Sequence, residues 1–177
     1  MRSDMIQIDN LGNGFEDAVK ETNKVAQYNS LNEKETRYLQ LCTEEILSLA
    51  HSVTGEMQAT FWLENQGRQY ALHLNTKTVM DKEKREMLLT SASSRKNEAA
   101  NTFLGWIRDA FERAMAADAN HGDDIPEDVL DDLANHVIED PEWDGFERSI
   151  LKKVSDQVKI GIRGGVVDMT VLKHFDE

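Results

Sequence analysis

Two neighbouring carboxylates, Glu44 and Glu45, sit inside "LCTEEILSLAHSVTG", framed by Leu41, Ile46, Leu47 and Leu49. A carboxylate on a half-buried helix can serve as a general base, provided a partner orients it and the helix face opens on a substrate. The bland alternative is a helix edge, with Glu45 at the rim and Glu44 in solvent. The five histidines, His51, His73, His121, His136 and His174, are scattered, and no two share the i, i+4 spacing of a helical metal pair. His73 lies between Leu72 and Leu74 in an alternating stretch, so it points away from them. "DANHGDD" opens like a Ca²⁺ loop, but its glycine falls one place early and Val129 occupies the twelfth position, where a bidentate Glu is required. Ser91, Ser93 and Ser94 beside Arg95 and Lys96 form either a modifiable anion loop or a plain polar one. Cys42, the single cysteine, falls on an apolar stripe. That excludes a disulfide framework and disfavours a thiol nucleophile.

The elements that must position these groups follow from periodicity. Phe15, Ala18, Val19, Thr22, Val25 and Ala26 predict a helix over 14–29. A second helix runs from a cap at Ser30 or Asn32 to about Val53, with Leu39, Cys42, Ile46 and Leu49 on one stripe. The period then changes to two. Met57, Ala59, Phe61 and Leu63 alternate before Gly67, and Tyr70, Leu72 and Leu74 alternate after it, which predicts a hairpin. Asp81 caps a short helix over 81–90, and helical spacing returns over 97–117. Further helices are expected after Pro126 and from Trp143 to Val154. A last hairpin turns at Gly164-Gly165, with Val158, Ile160 and Ile162 before it and Val167, Met169 and Val171 after it. The expected fold class is α/β, a two-layer sandwich with helices on one face of a mixed, mostly antiparallel sheet.

The 177 residues carry a net charge of −13, and 11 acidic residues with no Lys or Arg fall between Asp118 and Asp144. The acidity is therefore local. Direct nucleic-acid binding is disfavoured, because phosphates would be repelled. The acidic stretch reads either as a solvated helical insertion at about 117–142 or as a surface for a basic regulatory protein. Asp123, Asp124, Asp131 and Asp132 would supply the charge and Trp143 an apolar anchor. No apolar run is long enough to span a bilayer, and "MRSDMIQIDN" lacks a signal-peptide core. The expectation is a cytoplasmic chain forming one domain over 1–177, with no membrane partner.

The order of elements over 14–80 and 97–173 resembles the GHKL (Bergerat) ATPase domain, in particular the histidine kinase-like branch that includes the anti-sigma-factor kinases. The resemblance implies an E-x-x-x-N box on the second helix and a D-x-G-x-G box at the end of the first hairpin. On that pattern Glu45 stands at the base position, but Leu49 stands where an asparagine would hold Mg²⁺. Glu44 with Ser48 is the poorer alternative. Asn75 replaces the adenine-binding aspartate, while Lys77 and Val79 replace glycines. Lys96 and Asn97 are the candidate phosphate contacts. Since the metal ligand and the glycines are replaced, the expectation is a non-enzymatic regulatory protein, similar to anti-sigma factors in role and needing no cofactor. The alternative is an active kinase-like protein using ATP and magnesium through Glu45, Asn75, Lys96 and Asn97. A third reading is an acidic DNA mimic.

Overall fold

In the computed structural model, residues 1–9, 11–54, 58–100 and 150–176 are described. Five strands form one sheet in the order β1-β2-β3-β5-β4: β1 (Ile6–Asp9), β2 (Gln58–Gln66), β3 (Gln69–Lys77), β4 (Gln157–Arg163) and β5 (Val166–His174). Every neighbouring pair is antiparallel. Among the described residues the sheet's strand pairs are all antiparallel, where a mixed, mostly antiparallel sheet was expected. Among the described residues, a parallel contact occurs as an isolated bridge between Asn97 and Ile160. The described helices are α1 (Phe15–Tyr28), α2 (Glu33–Thr54), α3 (Lys82–Ser91) and α4 (Ile150–Val154), with a 3₁₀ turn at Glu98–Ala100.

Strand alternation sorts the side chains. Ala59, Phe61 and Leu63, then Tyr70, Leu72 and Leu74, then Val158, Ile160 and Ile162, then Val167, Met169 and Val171 are all buried. The helices cover this face: α1 packs on β2, α2 on β3 and β5, and α3 and α4 on β4. They contribute Ala18, Val25, Leu39, Cys42, Ile46, Leu47 and Leu88 to one core. Burying a large aliphatic side chain contributes about 1.5–3 kcal/mol, so this shared face is what holds the two layers together.

The turns have the backbone their geometry demands. Gly67 (φ 59°) opens the β2–β3 loop, and Gly164 and Gly165 (φ 55° and 77°) form the β4–β5 loop. Two-residue hairpin loops need such left-handed values to match strand twist. The α2 start is a reciprocal cap. The Glu35 amide donates to Asn32 Oδ1 (3.0 Å), and the Asn32 amide donates to the Glu35 carboxylate (2.9 Å). Glu35 also pairs with Arg68, which donates through Nε to the Phe175 carbonyl (3.3 Å), so the helix start, the first hairpin turn and the chain's end are joined.

Strand β1 went unrecognised in the periodicity, because two alternations (Ile6, Ile8) are too few to register. Both sheet edges are closed. On the β1 side the Asp9 amide donates to the Asn13 carbonyl (3.2 Å), and Gly14 lies so close that a Cβ would sit 2.1 Å from the Gln7 oxygen. On the β4 side the Ser93 amide donates to the Val158 carbonyl (2.8 Å), and Ser93 Oγ accepts from the Val158 amide (2.7 Å). Further along, the Asn97 carboxamide bonds the Ile162 backbone. Closing the edges removes the open ladder on which another strand could add. The expected helix over 97–117, the acidic insertion at about 117–142 and most of the helix expected from Trp143 lie outside the described residues.

Candidate functional site

The sheet's second face carries the side chains of opposite parity: Trp62 and Glu64 on β2, His73 and Asn75 on β3, and Asp168 and Thr170 on β5. Among the described residues no helix packs on it. Its centre is a stack. The Trp62 and His73 rings lie 4.9 Å apart with planes 12° from parallel, and the Arg2 guanidinium sits 5.1 Å from the Trp62 ring centre. Register produces this pairing, because the tight turn after Gln66 places Trp62 directly opposite His73. Glu64 gathers the polar ends. Its carboxylate accepts from Trp62 Nε1 (3.3 Å), lies 3.6 Å from Arg2 Nε and faces His73 Nε2 at 3.9 Å.

His73 Nδ1 meets the Thr170 hydroxyl at 3.1 Å, while its Nε2 is buried with no hydrogen-bond partner. Burial lowers the imidazole's pKa, and the Glu64 charge opposes that shift. A hydroxyl, an imidazole and a carboxylate in sequence have the order of a hydrolytic triad. The geometry does not support that chemistry. The Glu64–Nε2 separation of 3.9 Å exceeds hydrogen-bond reach. The cluster is a flat cationic and aromatic stack with one carboxylate. Beside it, Asn75 donates to Asp168 (2.5 Å) across the strands.

The candidate residues named from sequence are dispersed. Glu45 is half-buried on α2 and Glu44 is exposed. Leu49 packs against the core. Asn75, by strand parity, lies on the far side of the sheet from α2. Lys96 is exposed in the loop beside β4. Asn97 is buried, with Nδ2 donating to the Ile162 carbonyl (2.9 Å) and Oδ1 accepting from the Ile162 amide (2.8 Å) and the Ala99 amide (3.1 Å). The sheet therefore separates Glu45 from Asn75, and Asn97 is turned onto β4. Asp123, Asp124, Asp131, Asp132 and Trp143 lie outside the described residues. Among the described residues there is no group of three or more His, Cys, Asp or Glu able to hold a metal, and no helix is long and apolar enough to cross a membrane.

Residues that sequence reasoning passed over are Arg2, Trp62, Glu64 and Thr170. A usable signal was present. Trp62 and His73 both have the parity opposite to the apolar set, and a two-residue loop at Gly67 puts them face to face.

A cleft of about 560 Å³ lies at one end of the sheet, lined by Lys77, Thr78, Val79, Lys84 and Gly164–Val166. Lys84 is partly engaged there, donating to the Val79 carbonyl (3.2 Å) and lying 3.7 Å from Asp81. Comparison with family models and with curated proteins finds no match to this chain.

Proposed function

We propose that this chain is a non-enzymatic protein-interaction module, cytoplasmic and regulatory, in a role similar to that of the anti-sigma factors. The observation that carries this reading is the separation of Glu45 from Asn75 by the full thickness of the sheet. A nucleotide held by the GHKL pattern needs the base and the adenine acceptor on one cavity, and here they face opposite sides. Closed sheet edges and an open, polar and aromatic sheet face support recognition through surfaces rather than catalysis in a pocket. The acidic stretch with Asp123, Asp124, Asp131, Asp132 and Trp143 is the surface proposed for a basic protein partner, through charge complementarity.

Titration calorimetry and thermal denaturation with Mg-ATP test the proposal. No saturable heat and no stabilisation are expected at millimolar nucleotide. A ligand at a hundred times its dissociation constant stabilises by about 2.7 kcal/mol. Stabilisation of that size, abolished by Asn75→Ala, would refute the proposal and restore the kinase-like alternative.

A further inference from the structure

Residues 1–3 form a strap along the edge of β2, beyond the stretch from Gln58 to Phe61 that β1 covers. The Ser3 amide donates to the Leu63 carbonyl (2.9 Å), and Ser3 Oγ accepts from the Leu63 amide (2.9 Å). The Met1 carbonyl accepts from the Asn65 amide (2.9 Å), and the Met1 amino group donates to the Asn65 carbonyl (2.7 Å). Between them, Arg2 sets its guanidinium 3.6 Å from the Glu64 carboxylate and 5.1 Å from the Trp62 ring centre. Both members of that ion pair are about half exposed, and pairs so placed contribute little to stability. The strap is lightly held, so a change of one charge beside it has consequences.

The same carboxylate and the same ring also face His73. Strand β2 lies between the strap and β3, so Arg2 approaches Glu64 and Trp62 from one side and His73 from the other. Glu64 stands 3.6 Å from Arg2 Nε and 3.9 Å from His73 Nε2. A protonated imidazole has two N–H donors. Nδ1 has the Thr170 hydroxyl at 3.1 Å, whereas the buried Nε2 has no hydrogen-bond partner. Among the described residues, Glu64 supplies the carboxylate within 4 Å of Nε2, while Asp168 is bonded to Asn75 (2.5 Å). Closing the 3.9 Å gap to hydrogen-bond length moves the Glu64 carboxylate about 1 Å toward β3 and away from the strap.

We propose that Arg2 and His73 compete for Glu64, so that protonation of His73 releases the strap from the β2 edge. The charges facing the imidazole are Glu64 on β2 and Asp168 on β5, which favour protonation, and Arg2 on the strap, which opposes it. Lys159 on β4 stands beyond Thr170 in the same cross-strand row. With the strap closed, burial holds the imidazole below its ordinary value of about 6.5. Opening the strap removes the Arg2 charge and lets the imidazole move back toward that value. The closed form is therefore favoured above about 6.5 and loses ground as pH falls below it. Release leaves the Leu63 amide and carbonyl and the Asn65 amide unpaired, an open length of ladder on a strand that is otherwise covered. The switch needs no partner, so it stands or falls separately from the interaction role proposed above.

The test is hydrogen exchange by NMR on the full chain, with each amide's rate divided by its intrinsic rate at the same pH. From about pH 7.5 to about pH 5, protection of the Leu63 and Asn65 amides is expected to fall by about threefold or more, while the β3–β5 ladder changes by less than about twofold. His73→Gln keeps a neutral polar side chain and should abolish that pH dependence, with the strap closed throughout. Arg2→Gln, at an exposed position, should leave both amides poorly protected at either pH. It should also raise the His73 midpoint in an NMR titration, because a facing cation is gone. Should His73→Gln not fold by circular dichroism, the Arg2→Gln titration decides alone, and a midpoint that does not rise overturns the inference. So does protection independent of pH in the wild type, or pH dependence that persists in His73→Gln. An equal loss across the β3–β5 ladder also overturns it, since that would mean general loosening rather than release of the strap.

Discussion

Replacing Asn97 with Ala removes the carboxamide that closes the β4 edge. The side chain bonds both backbone groups of Ile162, at 2.9 and 2.8 Å, and the Ala99 amide at 3.1 Å. Asn97 is 6 % exposed, so water cannot readily replace it. Leaving a buried donor or acceptor unpaired costs about 1–3 kcal/mol, and two such groups at Ile162 give a loss of about 2–6 kcal/mol. In a chain of this size that lowers the thermal midpoint by roughly 10 °C. Urea titration followed by circular dichroism reads the free energy directly. Asn97→Asp sharpens the test. A carboxylate keeps the acceptor for the Ile162 and Ala99 amides but replaces the donor with a charge facing the Ile162 carbonyl. That repulsion and burial raise the new carboxyl's pKa in the folded state, outweighing the two amides that donate to it. The variant should therefore be destabilised above the unfolded pKa of about 3.9 and recover relative to wild type as pH falls, because the protonated acid can donate. A loss below about 1 kcal/mol for Asn97→Ala would refute the reasoning, since it would mean that water or a backbone shift satisfies Ile162 without the side chain.

Three further outcomes follow from buried polar groups. Between α1 and α2, the Thr22 and Thr43 hydroxyls meet at 2.9 Å while also lying within reach of the Ala18 and Leu39 carbonyls (2.9 and 3.1 Å), so three contacts share two hydrogens. Thr22→Val and Thr43→Val should each cost about 1 kcal/mol, and the double variant should cost clearly less than their sum in a double-mutant cycle. Burial pushes the Cys42 thiol up to about 12. The unfolded thiol ionises first, near 8.5, so stability should fall as pH rises from there toward 12, and Cys42→Ser should flatten that slope in urea titrations. Burial lowers the His73 imidazole, with Glu64 opposing the shift. The stability contributed by keeping it neutral is present above the unfolded pKa of about 6.5 and is lost as pH falls below it. NMR titration should place its midpoint under that value, and Glu64→Gln should lower the midpoint further.

The elements whose periodicity runs longest were legible in the sequence. Helix α1 was expected over 14–29 and spans Phe15–Tyr28, and α3 begins after Asp81, whose carboxylate accepts from the Lys84 amide (2.8 Å). Both hairpins turn at their expected glycines. Strand β1 was missed because a four-residue edge strand carries too short a pattern. The two hairpins implied antiparallel pairs, but that β1 pairs with β2 and β3 with β5 was not legible, because periodicity reports a strand's faces and not its neighbour. Asn97 shows a second limit. In sequence it is an amide after a basic pair, equally suited to a phosphate or to a backbone. Only its distance from Ile162, 65 positions away, decides between them.

The separation of Glu45 from Asn75 was present in the sequence. In β3 the apolar residues Tyr70, Leu72 and Leu74 hold the even positions, and Asn75 shares the odd ones with Ala71 and His73. An amphipathic helix buries its apolar stripe against the apolar face of a sheet, because no other surface offers comparable area. The helix bearing Glu45 must therefore lie against Leu72 and Leu74, which turns Asn75 away from it. Motif matching compares positions along a chain and is blind to this parity. An adenine acceptor one residue earlier or later would have faced α2. At position 75 the two-residue repeat places it with His73 and Trp62, on the face turned away from α2.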